Sequence, residues 1–88
     1  MTQRIKFTPQ FRRDLIRLKK ENSKHLVKLW DIIIDLSDGD PFHGVGLPEP
    51  LKGNLSGYWS RRITLEHRLI YEIEEEVIVL ISCFGHYT

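Results

Sequence analysis

Cysteine is almost absent from this 88-residue chain, and Cys83 has no second thiol with which to form an intrachain disulfide or a thiolate cluster. A reducing compartment, the cytoplasm, is the expectation. Long apolar runs are missing too. The longest, Val77 to Ile81, is far short of the roughly 20 residues a membrane helix needs, and the N-terminus has no apolar signal-peptide core, so neither a membrane span nor standard export is expected. Repeats and low-complexity tracts are absent. His25, His43, His67 and His86 have no zinc-ligand spacing, and Gly44–Val45–Gly46 falls far short of a phosphate-cradling loop. No metal site and no cofactor are therefore expected.

Charge of one sign is nearly lacking in the sum, which is +1, but not in its placement. Arg4, Lys6, Arg12, Arg13, Arg17, Lys19, Lys20, Lys24 and Lys28 stand against only Asp14 and Glu21 in the first third. The acidic balance lies mainly in Glu72, Glu74, Glu75 and Glu76. One basic side and one acidic corner follow, the former able to attract phosphates. With 41% hydrophobic and 28% charged residues the chain reads as a single globular domain, residues 1–88, with a thin core.

Periodicity predicts a βααβββ order. Arg4 to Phe7 alternates as a short edge strand; Thr8 is an N-cap and Pro9 the first helical residue. Phe11, Leu15 and Leu18 give the first helix a narrow apolar stripe. Ser23 is expected to cap a second helix running to about Ser37. Leu26, Leu29, Trp30, Ile33 and Leu36 line its buried face, and Val27 and Ile34 widen it. Gly39 and Pro41 end that helix, and residues 38–48 form a loop. Strands follow at Tyr58 to Thr64, His67 to Ile73 and Val77 to Cys83, an antiparallel meander. The fold class is α+β, a twisted, mainly antiparallel sheet with two helices on one face and the other face partly free.

The stretch Pro48 to Tyr71 interleaves Glu49, Lys52, Arg61, Arg62, His67 and Arg68 with Tyr58, Trp59 and Tyr71, and the chain ends in His86 and Tyr87. Carboxylate, histidine, cations and aromatic faces are what a site needs to hold and cut RNA by its own 2′-hydroxyl. A base takes the 2′-proton, an acid protonates the leaving 5′-oxygen, and cations stabilise the phosphoryl charge. Glu49 fits the base, His86 the acid, and Lys52, Arg62 and Arg68 the clamp. Prolines on both sides restrict the backbone of Glu49. Arg61 and Arg62 point to opposite faces of a regular strand, so at most one enters a given site; Arg62 is favoured, leaving Arg61 as a solvated cation or a partner contact. Trp59 is read as core. Tyr58, Phe84 and Tyr87 are the candidates for stacking on bases. Cys83, in an apolar strand, reads as a structural thiol.

The string Pro48-Glu49-Pro50-Leu51-Lys52, then Asn54-Leu55-Ser56-Gly57-Tyr58-Trp59-Ser60-Arg61-Arg62-Ile63, then His67-Arg68-Leu69 and the closing His86-Tyr87 resembles the YoeB/Txe toxins of bacterial type II toxin–antitoxin systems. The resemblance implies a RelE-like fold and a ribosome-dependent mRNA interferase that cuts mRNA in the ribosomal A site and stops translation. By the same resemblance Glu49 is the general base, His86 the general acid and Arg68 the transition-state cation. Lys52 and Arg62 are supporting phosphate contacts and Tyr87 orients the substrate. From the residues alone, Tyr58 and Arg61 complete the candidate substrate and phosphate contacts, and which of Arg61 and Arg62 faces the substrate stays open. A homodimer and an acidic YefM/Axe-like antitoxin are implied as partners, beside the bacterial ribosome and mRNA. Phe84 and Gly85 stand where similar toxins often carry an arginine, and Thr88 extends past the usual terminal tyrosine. A non-catalytic RelE-like toxin that inhibits a target such as gyrase by binding is the alternative from another class; a plain single-strand RNA-binding module is a weaker one. The joint presence of Glu49, Arg68 and His86 favours the enzyme.

Overall fold

A computed structural model describes residues 4–85. The elements are β1 (Arg4–Phe7), α1 (Pro9–Glu21), α2 (His25–Asp38), β2 (Glu49–Pro50), β3 (Tyr58–Arg62), β4 (Arg68–Glu74) and β5 (Val77–Ser82), with one turn of 3-10 helix at Gly53–Leu55. The five strands form one sheet in the order β1-β5-β4-β3-β2. All neighbours are antiparallel except β1, which runs parallel to β5 at the edge.

The start of α1 is fixed as its residue types require. The Thr8 hydroxyl accepts the Phe11 N–H at 3.0 Å and donates to the Ile81 carbonyl at 2.7 Å, so the N-cap also ties the helix to β5. Both helices cover one side of the sheet. Phe11 and Leu18 from α1, and Leu29, Ile32 and Leu36 from α2, meet Leu69 and Tyr71 of β4 and Ile78 and Leu80 of β5 in one buried cluster.

The structure rotates α2 relative to the expected stripe. Its buried residues are Leu29, Ile32, Ile33 and Leu36, whereas Trp30, Val27 and Ile34 are exposed on a second apolar stripe. A helix apolar on two sides satisfies more than one i, i+3, i+4 series, and sheet packing decides which of them is buried. Its cap also differs: Lys24, not Ser23, stands at the N-cap, with no side-chain cap bond of its own, and the Asn22 side chain accepts the Lys24 N–H at 3.0 Å. The additional strand β2 had no counterpart in the expected order.

Cys83 follows β5 and is buried. Its N–H donates to Asp14 Oδ2 at 3.1 Å, and burial, helped by the Asp14 charge, pushes its thiol up to about 12. The thiolate is the reactive form. The folded protein is accordingly expected to resist iodoacetamide at neutral pH and to be alkylated on unfolding, a difference read by mass spectrometry; rapid labelling without unfolding would contradict this burial.

Candidate active site

Strand pairing assembles the site from segments far apart in sequence. Glu49 lies directly opposite Ser60, Arg62 opposite Arg68, and Tyr58 opposite Glu72. Directly paired residues share a face, and alternate residues of one strand do as well. Glu49, Tyr58, Ser60, Arg62 and Arg68 therefore lie on one face, opposite the one that α1 and α2 cover. Pro50 is tolerated because β2 is the sheet edge, where no ladder bond is asked of its nitrogen. The Leu51 N–H donates to the Tyr58 carbonyl at 2.9 Å, extending the pairing just beyond β2.

Glu49 and Lys52 are exposed and line one cleft of about 460 Å³ formed by residues 49–55. Arg62, Arg68 and Tyr58 are half-buried. Two arginines directly opposite one another repel, an arrangement that an anion relieves. The Ser60 hydroxyl and the Arg62 Nε are buried on this face and have no hydrogen-bond partner among the described residues. Buried donors of this kind call for an explanation, and an incoming phosphate or ribose oxygen supplies one. His86 and Tyr87 lie outside the described residues.

Arg61 corrects the sequence reading. It is neither solvated nor available to a phosphate or a partner, being 0% exposed on the helix-covered face. Its Nη1 donates to Asp35 Oδ2 at 2.5 Å and to the Val45 carbonyl at 3.1 Å. Its Nη2 reaches the carbonyls of Asp40, Pro41 and His43 at 3.1–3.3 Å. Nε donates to the Tyr71 hydroxyl at 3.2 Å, which itself donates to the Pro41 carbonyl at 2.8 Å; burial pushes that phenol up from its ordinary range. One guanidinium thus gathers the loop that leads to Glu49. Gly44 is required there: at φ +129° its missing Cβ leaves room for Asp35 Oδ2, which a β-carbon would approach to 2.0 Å. Asp40 tightens the same loop by accepting the Phe42 N–H at 2.8 Å, the main reason its carboxyl titrates below the ordinary value, with the His43 ring next in effect.

Folding also gathers three groups that linear spacing kept apart. Glu21, His25 and His67 bring potential ligand atoms within 4.8 Å of one another. Their hydrogen bonds, however, define a proton-bearing contact. The Gly85 N–H donates to His67 Nδ1 at 2.9 Å, which leaves the ring proton on Nε2, and Nε2 lies 2.8 Å from Glu21 Oε1. Ion binding at Nε2 would require that proton to leave. No sequence signal pointed to this triad.

Two helices on one face of an open, mainly antiparallel five-stranded sheet give the chain a RelE-like fold. Escherichia coli YafQ, at 22% identity and a TM-score of 0.71, shares that fold. The chain belongs to the YoeB-like toxins of bacterial type II toxin–antitoxin systems, whose family model matches residues 7–87. It is 53% identical over 68 residues to Toxin YoeB of a Synechocystis species, covering 77% of this chain and 79% of that one. To Toxin YoeB of Streptomyces coelicolor it is 43% identical over 84 residues, covering 96% and 99%. Among solved structures, the Staphylococcus aureus YoeB dimer superposes with a TM-score of 0.85 at 36% identity, covering 99% of this chain and 100% of that one.

Proposed function

We propose that the chain is a ribosome-dependent mRNA interferase, an endoribonuclease that cleaves mRNA in the ribosomal A site and thereby stops translation. The observation that carries this reading is the sheet face that α1 and α2 leave uncovered, which Glu49, Arg62 and Arg68 share with the buried Ser60 hydroxyl and Arg62 Nε, two groups that have no hydrogen-bond partner among the described residues. Glu49 removes the proton from the ribose 2′-hydroxyl, and that oxygen attacks the adjacent phosphorus. The bond to the 5′-oxygen breaks, and His86 protonates the departing oxygen. Arg68, with Lys52 and Arg62, stabilises charge on the phosphoryl oxygens; Tyr87 orients the nucleotide and Tyr58 offers a stacking face. No metal takes part in this mechanism. The ribosome contributes by holding the mRNA backbone in line, which turns a loose encounter into a near-unimolecular step.

The partners in this reading are an acidic YefM-like antitoxin and a second copy of the chain, all in the cytoplasm. Two observations support them. Staphylococcus aureus neighbours have been solved as a YoeB–YefM complex, with a TM-score of 0.83 at 37% identity over 99% of this chain and 100% of that one, and as a YoeB dimer. Val27, Trp30 and Ile34 form an exposed apolar stripe on α2 of the kind that partners cover. No described helix is long and apolar enough to cross a membrane.

Product chemistry tests the mechanism. Cleavage of ribosome-bound mRNA is expected to leave a 2′,3′-cyclic phosphate, or the 3′-phosphate derived from it, upstream and a 5′-hydroxyl downstream. A single 2′-deoxy substitution at the scissile nucleotide is expected to stop the reaction. Efficient cutting of the deoxy substrate, or a downstream 5′-phosphate, would point instead to attack by water.

A further inference from the structure

His67 lies between three elements and joins them through both ring nitrogens. Its backbone is held first: the His67 N–H donates to Thr64 Oγ1 at 3.0 Å, and its carbonyl accepts the Ile63 and Thr64 N–H groups at 3.0 and 3.1 Å. The ring is 3% exposed for the whole residue, faces Glu21 of α1 through Nε2, and packs against Phe84 with centroids 4.4 Å apart. Arg17 of α1 also lies over the Phe84 ring, its guanidinium carbon 4.1 Å from the ring centre. Gly85 is gripped at both ends by consecutive residues. Its N–H donates to His67 Nδ1 at 2.9 Å, and its carbonyl accepts the Arg68 N–H at 3.1 Å.

This grip has a chemical requirement. A backbone N–H can bond to Nδ1 only if that nitrogen keeps its lone pair, so the ring must be neutral with its proton on Nε2. Glu21 selects this tautomer by accepting from Nε2. The residue joined covalently to Gly85 on its far side is His86. The residue whose amide holds Gly85 is Arg68, which carries a cation of the site.

We propose that His67 is a positioning residue: with Glu21 behind it, it fixes Gly85 against the start of β4 and so sets the point from which His86 departs relative to Arg68. The inference rests on the cleavage reading above, in which His86 is the acid. Misplacement of a reacting group by about 1 Å is enough to cost on the order of a hundredfold in rate. His67 is 3% exposed and so out of reach of a substrate on the sheet face, and its expected effect is on the chemical step and not on ribosome binding.

Asn and Gln separate the two ring contacts, because the Asn side-chain oxygen sits where Nδ1 was and the Gln amide sits where Nε2 was. H67N retains an acceptor for Gly85 and loses the Glu21 contact; H67Q does the reverse. Two readouts are compared in the full-length toxin, single-turnover cleavage of ribosome-bound mRNA and hydrogen exchange of the Gly85 amide. H67Q is expected to lose about tenfold or more in rate, at unchanged affinity for ribosomes, with the Gly85 amide exposed to exchange. H67N is expected to stay within about threefold of the wild type, with the amide protected. Wild-type cleavage rates in H67Q, equal losses in both variants, or a Gly85 amide protected equally in both would each overturn the inference. Failure of the wild-type protein itself to cleave ribosome-bound mRNA would instead overturn the functional reading on which it rests.

Discussion

Replacing Arg61 with alanine is expected to bring the protein to the edge of unfolding, whereas replacing its neighbour Arg62 leaves the fold intact and impairs the chemistry. Arg61 is wholly buried and distributes its donors among Asp35, Tyr71 and four loop carbonyls. Its removal strands a carboxylate that is only partly solvated and leaves those carbonyls without their donor. Breaking a buried pair on one side costs about 3–5 kcal/mol. In a domain of this size each kcal/mol corresponds to roughly 4–8 °C in Tm, so a fall of more than about 12 °C is expected. Lysine will not rescue, since a single ammonium cannot reproduce the planar fork. Arg62 has its side chain on the open face, and Arg62→Ala is expected to change stability by less than about 1 kcal/mol. The same variant should lose about tenfold or more in cleavage rate. Urea unfolding of both variants, with Asp35→Ala and Asp35→Ala/Arg61→Ala completing a double-mutant cycle, checks the assignment. An Arg61→Ala protein of undiminished stability would mean that the loop is held by something else.

The contrast between these adjacent arginines shows what the sequence could disclose. Alternation along β3 was legible and correct: Arg61 shares a side with Trp59 and Ile63, and Arg62 points the other way. What the pattern could not show is that the guanidinium on the core side is satisfied, because its partners, Tyr71 and groups from residues 35 to 45, are brought in by tertiary folding. The N-cap at Thr8, the two helices and the three-strand meander were all readable from local chemistry. β2 was not, since two residues between prolines carry no strand period and pair only because β3 is there to receive them. The buried face of α2 failed for a different reason. Trp30 fits an apolar stripe as well as Ile32 does, and only packing against the sheet selects Ile32. Glu49, Arg62 and Arg68 were singled out by residue type, and the sheet register supplies the reason they share a face. The Glu21–His67–Gly85 link stayed hidden because its members are separated by 46 and 18 positions.

Glu49→Gln and His86→Gln are each expected to lower the single-turnover rate of mRNA cleavage on the ribosome by about 10²–10⁴-fold, the usual contribution of a positioned acid or base. Glutamine keeps nearly the size of glutamate and can still hydrogen bond, but its amide cannot take up the 2′-proton. Glu49 is exposed on the edge strand, and surface changes of this kind alter stability by about 0.5 kcal/mol or less. The expected result is therefore a folded protein with the wild-type melting temperature and wild-type affinity for ribosomes that no longer arrests growth. Affinity matters to the reading, since a variant that failed to bind would also fail to cleave. A double Glu49→Gln/His86→Gln protein is expected to be little worse than either single variant, because groups that act in one concerted step lose their value together. The measurement is a quench time course of a defined mRNA in programmed ribosomes, run beside thermal unfolding of each variant. Growth arrest and cleavage at wild-type rates by a folded Glu49→Gln protein would remove Glu49 from the mechanism. Growth arrest without any RNA cleavage, in the wild type as in the variants, would instead favour a toxin that inhibits its target by binding alone.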